Sequence, residues 1–502
     1  MIRRTGLVLV ATLVAGASVE ALARRFDGYQ VWSWRLVRIR YAQQTDTPDR
    51  QYLESIPLAA GVDRAWYEQA PPPIPRLPMP AAMQARFDAN KTNPYNAFMV
   101  WNAEFVRFNV CESDDHGVGM FGNLRDFLVY DPPSGAGLYP SYRHVPHLSP
   151  PGWFVSNSFG WRGPDLSVAR PPNTIRIAFV GASTTIDPYY LPYSHIELVG
   201  HWLNEWAATQ ALPIRFEVIN AARTGIDSSS IREIVRQEVL AVDPELIVYY
   251  EGANDFAPGK ALRLPDTLPK APTATFHVRG KAEEYSAVAA RLYDAALKWT
   301  GRGGYEPRKP AYALKWVAGV SEDAPDIDAP RLPMDQQVMA RNLTMLHAAA
   351  ARNGTELAIA SFVWMVYPGM SLDLTRHLIL FRYLNESYFP ATYAHMRRMA
   401  DFQNRVFRAF AGKHGVIYLP MDETYPRDPD LFGDAIHMTE RGLRLQAWIY
   451  LQQLVPIVQS RIESRQWPKR PTASPVSAAW ATTPPRTLSR ESILASCPKT
   501  VH

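Results

Sequence analysis

The run IRIAFVGASTT (Ile175–Thr185) constrains the fold of this chain more than any other feature. A short, β-branched, mostly apolar stretch that ends in Gly-Ala-Ser reads as a buried strand stopping at a tight turn, with one hydroxyl left at its tip. Beyond this run, helical and strand-like periods alternate. Leu191–Gln210 has helical spacing, with Leu198, Trp202 and Trp206 on one face, and Phe216–Ile219 is strand-like. Ser228–Ala241 reads as a helix whose leading serines can cap free amides, and Glu245–Tyr250 as a further strand. After a stretch rich in Pro, Gly and charge, about Ala257–Asp335, the pattern resumes. A helix over Gln336–Asn353 stops at Gly354, and a strand covers Glu356–Phe362. A helix over Pro390–His414 stops at Gly415, a short strand covers Val416–Leu419, and a last helix covers Glu440–Val458. Strands and helices in alternation predict an α/β fold with a mostly parallel sheet covered on both faces. In such sheets ligands sit beyond the carboxyl ends of the strands.

Four segments at or near those ends carry chemistry. They are GASTT at Ser183, NAARTG (Asn220–Gly225), YYEGAND (Tyr249–Asp255) and GDAIHMTERG (Gly433–Gly442). A serine hydroxyl is a poor nucleophile until a base takes its proton. His437 is the candidate base, and Asp434, three residues earlier, can reach the imidazole from the same turn, fix its tautomer and stabilise the imidazolium. A tetrahedral intermediate then needs donors. The Ser183 N–H, the Gly225 N–H and the Asn254 side-chain amide form the candidate oxyanion hole. Each segment alone is an ordinary turn, helix cap or loop; their order within one alternating pattern makes the catalytic reading. His195 and His201 lie closer to Ser183 in sequence but sit in a helix without an evident orienting partner, so they read as core or surface histidines.

The rest of the chain sets bounds. With 502 residues and 47% hydrophobic content it can bury at least one large core. The formal charge of +5 is small for that length, and no concentrated basic run with interleaved aromatics is present, so nucleic acid is not an expected partner. Two cysteines, Cys111 and Cys497, make neither a metal cluster nor a disulfide framework. His144 and His147 resemble half a metal site but have no third and fourth ligand beside them, so no metal is expected. A phosphate loop lacks its Gly-Lys-Ser/Thr ending, and a dinucleotide site lacks G-x-G-x-x-G. At the N-terminus Arg3 and Arg4 precede the apolar run Gly6–Ala23, which ends in Ala21-Leu22-Ala23 before Arg24 and Arg25. Residues 1–25 therefore read as a signal peptide or an uncleaved membrane anchor, and the main body as exported. Residues 26–170 form an aromatic- and Pro-rich accessory region, 171–463 the catalytic domain with an insertion at about 257–335, and 464–502 a disordered tail.

These blocks resemble the SGNH hydrolases, also called GDSL-type esterases. Ser183 in GASTT, Gly225 in RTG, Asn254 in GAND, and Asp434 with His437 in DAIH stand where that family carries its nucleophile, its two further oxyanion donors and its Asp-His pair. The family's usual acidic residue before the serine is Ala182 here. NSFGWRG (Asn157–Gly163) and the apolar N-terminus are similar to a bacterial membrane-anchored subset. The resemblance implies a flavodoxin-like three-layer α/β/α sandwich, no cofactor, and a serine esterase or acylhydrolase. The implied substrate is an acyl ester, as on an extracellular glycan or lipid, met on the periplasmic or outer side of a membrane. An O-acyltransferase using the same triad and a silent binding module of the same fold are the alternatives.

Overall fold

The computed structural model describes residues 2–26, 50–76, 81–90, 154–188, 191–263, 285–299, 313–370 and 376–470, apart from isolated positions. Cys111, Cys497, His147 and the chain beyond 470 lie outside the described residues. The strands β1 (Thr174–Gly181), β2 (Arg215–Asn220), β3 (Leu246–Tyr250), β4 (Glu356–Ala360) and β5 (Ile417–Leu419) form one sheet. Every pairing is parallel, and the order is β2-β1-β3-β4-β5. That order is the flavodoxin-like one, with its reversal of strand sequence beside β1 and β3. β1 and β3 are buried along their whole length, which is why both read as unbroken apolar runs rather than alternating ones. The exception, Arg176 in β1, stays buried because Glu217 and the carbonyls of Ser167, Val168 and Val242 take its donors.

Besides short helices over Arg50–Ser55, Ala81–Asn90 and Met421–Thr424, the described helices are α1 (Ile2–Phe26), the single turn α2 (Ser183–Ile186), α3 (His195–Thr209), α4 (Ser228–Gln237), α5 (Ala287–Trp299), α6 (Gln336–Arg352), α7 (Leu378–Arg382), α8 (Tyr393–His414) and α9 (Glu440–Glu463). α3 packs on α9 on one side of the sheet; on the other, α6 packs against both α4 and α8. Two helices begin later than periodicity predicts, each where a side chain caps the first turn. Ser194 makes a capping box with Glu197 ahead of α3, and Thr392 accepts from the His395 N–H ahead of α8. α4 is shorter than expected, and the chain tightens into a 3-10 turn over Val239–Val242. α7 and the π-helical turn that continues it over Tyr383–Ser387 have no counterpart in the sequence periodicity.

The outer segments are tied to this body. Tyr67 stacks on Trp202 of α3 and meets Trp448 of α9 edge-on, so part of the accessory region belongs to the main core. Trp467 is buried and Lys469 pairs with Asp243 at 2.9 Å, so packing continues past the expected boundary at residue 463. The insertion leaves and re-enters through a bridge between Leu262 and Leu314. Its helix α5 is capped by Glu20 of α1, which accepts from Ser286 Oγ, the Ala287 N–H and the Val288 N–H at 2.7–3.1 Å. Among the described residues, no helix is long and apolar enough to cross a membrane.

Candidate active site

Ser183 opens the turn that follows β1, and the sequence explains why it can. Gly181 runs so close to β3 that a Cβ there would lie 2.2 Å from the Tyr250 carbonyl oxygen. Thr185 locks the same crossing by donating its hydroxyl to that oxygen at 2.6 Å. The chain then turns sharply at Ala182 and leaves Ser183 half-buried between buried neighbours. Beyond it, Arg162 of the NSFGWRG run donates to the carbonyls of Ile186, Asp187, Pro188 and Leu191 at 2.7–3.3 Å, so one buried guanidinium holds the loop that carries the serine into α3.

From the far side of the site comes the loop ahead of α9. Asp434 Oδ1 accepts the N–H groups of Ile436 and His437 at 2.9 and 2.8 Å, which winds the loop into a tight turn. Its Oδ2 is left for the ring and stands 2.7 Å from His437 Nδ1. His437 Nε2 then lies 2.8 Å from Ser183 Oγ. With the Nδ1 proton directed to the carboxylate, Nε2 is the acceptor for the serine proton. Burial works to raise the Asp434 carboxyl, but the His437 ring and the two loop amides outweigh it and hold the group below its ordinary value. It is therefore charged over the range in which an imidazole must be oriented. The three side chains that the sequence nominated are brought together from positions 254 residues apart.

The oxyanion candidates leave neighbouring strand ends. Gly181 pairs with Tyr250 across β1 and β3, so Ser183 and Asn254 emerge side by side at the switch point of the sheet. Gly225 follows β2 on the other flank of β1 and has φ +73, a conformation that favours glycine. A Cβ there would meet nothing within 4 Å, so the space in front of its backbone is open. Asn254 Nδ2 donates one proton to the Ile226 carbonyl at 2.8 Å, which fixes the amide plane and couples this loop to the one bearing Gly225. The neighbouring Asp255 couples them again by accepting from Ser228 N and Oγ at 2.8 and 3.0 Å.

Several residues of the site are not evident in the sequence. His195 does have an orienting partner: its Nδ1 lies 2.7 Å from Asp187 Oδ2, inside the core. Glu251 is buried behind Asn254, and burial pushes its carboxyl up to about 8 against the pull of three loop N–H groups. Burial likewise pushes Asp255 up to about 6. Tyr383 and Tyr388, on and just after the π-helical turn, face each other at 3.4 Å between hydroxyls, and both feel the charges of Asp434 and Glu251. Burial raises both phenols most; the Tyr388 hydroxyl comes next for Tyr383, and the Asp434 and Glu251 carboxyls add to the rise in both. Their proximity to the triad is invisible in a segment punctuated by Pro368, Gly369 and Pro390. π-Turns concentrate at functional sites, and this one borders the triad. His144 is buried and held down to about 3, chiefly by burial and the nearby Arg223 charge. His201 is lowered by burial too, with Glu205 at 4.0 Å. Among the described residues, no group of three or more His, Cys, Asp and Glu is placed to hold a metal ion.

No family model and no curated protein matches the chain. Among solved structures it is similar to an acetylxylan esterase from Geobacillus stearothermophilus, at TM-score 0.29 and 12% identity over 56% of this chain and 94% of that one. LAE5, an α/β hydrolase enzyme from the metagenome of Lake Arreo, also scores 0.29 at 12% identity, with 55% and 93% covered. A candidate GDSL-like lipase from Parabacteroides merdae scores 0.27 at 14% identity, with 56% and 94% covered.

Proposed function

We propose that this chain is a serine esterase of the SGNH type. The observation that carries the reading is the relay from Asp434 through His437 to Ser183, at 2.7 and 2.8 Å, standing open at the carboxyl end of the sheet. His437 Nε2 takes the Ser183 proton as Oγ forms a bond to the ester carbonyl carbon. The carbonyl oxygen becomes an oxyanion, held by the N–H groups of Ser183 and Gly225 and by the second Nδ2 proton of Asn254. Collapse expels the alcohol, which leaves with the proton from His437, and the acyl group stays on Ser183. Water then gives its proton to His437, attacks the acyl carbon, and releases the acid as Ser183 regains its proton. Every step uses groups of this protein and water, with no cofactor.

The substrate is an acyl ester on a glycan or lipid outside the cytoplasm. The arginines, apolar run and Ala21-Leu22-Ala23 of the N-terminus support that location, as a leader or a tether. An intact relay argues against a silent binding module. Steady-state cleavage of p-nitrophenyl acetate tests the reading: the wild type turns over, while Ser183→Ala runs at the buffer rate. Equal rates for the two proteins reject it.

A further inference from the structure

Glu251 stands one residue beyond β3, with 1% of its surface exposed. A carboxyl group in that position is costly to bury, so what surrounds it is informative. Oε1 reaches forward along the chain and accepts the Asn254 N–H at 2.7 Å, and the N–H groups of Gly252 and Ala253 lie close enough to favour its charged form. From α8, Gln403 Nε2 donates to the Gly252 carbonyl at 2.7 Å, and Gln403 Oε1 in turn accepts from Trp364 Nε1 at 3.2 Å. A Cβ on Gly252 would come within 2.9 Å of both Gln403 and Phe362, so the loop cannot shift toward α8. The loop of Gly252, Ala253 and Asn254 thus closes over one carboxyl group, and its hydrogen bond is to Asn254.

Resting on the reading of Asn254 as an oxyanion donor, we propose that Glu251 is a positioning residue for the oxyanion: it aims the Asn254 amide by gathering the backbone of its loop. The groups facing it are Asp255 of the same loop, Tyr249 and Tyr250 of β3, and Tyr383 and Tyr388 of the segment after α7. None of these is a cation. Burial pushes the Glu251 carboxyl up to about 8, so at neutral pH it is mostly an uncharged acid whose carbonyl oxygen still accepts the Asn254 N–H. Above that pH a negative charge appears directly behind the amide that must hold an oxyanion. An alkaline fall in kcat that belongs to Glu251 is therefore required.

The test is the kinetics of p-nitrophenyl acetate cleavage between pH 6 and 9 for wild type, Glu251→Ala, Glu251→Gln, Asn254→Ala and the Glu251→Ala/Asn254→Ala double variant. Glu251→Ala lowers kcat about tenfold or more with KM within about threefold, as loss of one oxyanion contact requires. Glu251→Gln keeps an oxygen acceptor, recovers most of that loss at pH 7, and lacks the alkaline fall. In the Asn254→Ala background, Glu251→Ala costs less than about threefold more, because the two act through one amide. Wild-type kcat in Glu251→Ala, or an undiminished effect in the double variant, overturns the proposal. Should Glu251→Ala fail to fold, an unchanged alkaline limb in Glu251→Gln overturns it instead. Wild-type kcat in Asn254→Ala rejects the oxyanion reading beneath it, a result distinct from an active Glu251→Ala beside a crippled Asn254→Ala.

Discussion

The loop after Ser183 and the loop before α9 each hold an aspartate against a histidine, and in both the Nδ1 to Oδ2 distance is 2.7 Å. Asp187 also accepts the His195 backbone N–H, as Asp434 accepts that of His437. What separates the pairs is the other ring nitrogen. His195 is fully buried, stacked on Tyr450 at 5.6 Å between ring centres, and its Nε2 has no polar partner among the described residues. The His437 side chain is 31% exposed, and its Nε2 meets Ser183 Oγ. An Asp-His pair is therefore a means of holding a ring. It becomes a base only where the far nitrogen reaches a nucleophile and the site is open to substrate. The buried pair sits in the loop that Arg162 staples, where a rigid ring helps fix the segment leaving the serine.

Substitutions break or sharpen that contrast, and the triad gives the largest effects. Ser183→Ala and His437→Ala each remove about four to six orders of magnitude from kcat while circular dichroism stays that of the wild type. Asp434→Asn, which reverses the ring's preferred tautomer, costs about 10⁴ in kcat. Asn254→Ala lowers kcat by about 10² to 10³ with little change in KM, measured in the same assay. The matching change in the buried pair behaves differently. His195→Phe keeps the stacking on Tyr450, leaves kcat within about threefold, and costs about 1–3 kcal/mol of stability by denaturant titration, because Asp187 loses a partner. A kcat collapse in His195→Phe with stability intact would mean that the buried ring, too, belongs to the chemistry.

The smallest effect is on stability against pH. Glu251 goes from an ordinary value of 4.5 to about 8 on folding, so the folded protein holds a proton that the unfolded chain gives up. Its contribution is present at low pH and is lost as pH rises toward 8. Asp255, raised to about 6, acts the same way at lower pH. His144 opposes them below pH 6.5, since it stays neutral in the fold down to about 3. The melting temperature accordingly rises as pH is lowered from 8 to 6.5, and the Glu251→Gln variant flattens that rise.

Much of this is legible in the amino-acid sequence, for reasons that mark the limits of such reading. The five strands of the sheet and the helices between them are written in local periodicity, and Ser183, Gly225, Asn254, Asp434 and His437 lie in short loops whose residue types have few other uses together. Asp187 is not legible, because its partner is set by a left-handed turn at φ +66, which no local pattern announces. Glu251 reads as the polar end of a strand; only the burial supplied by α8 and β4 makes it unusual. Tyr383 and Tyr388 stay hidden because their segment follows neither a helical nor a strand period, and their relation to Asp434 is tertiary. NSFGWRG stands out as a motif, but its role as a clamp on the loop after Ser183 depends on the reach of Arg162 across the fold.

Whether Ser183 is an activated nucleophile decides everything else, and covalent capture tests it most directly. Incubation with a fluorophosphonate probe followed by peptide mass analysis should give one adduct, on Ser183. That adduct should form much more slowly in His437→Ala and be absent in Ser183→Ala. A wild-type protein that stays unmodified, or an adduct that persists elsewhere when Ser183 is gone, would contradict the account.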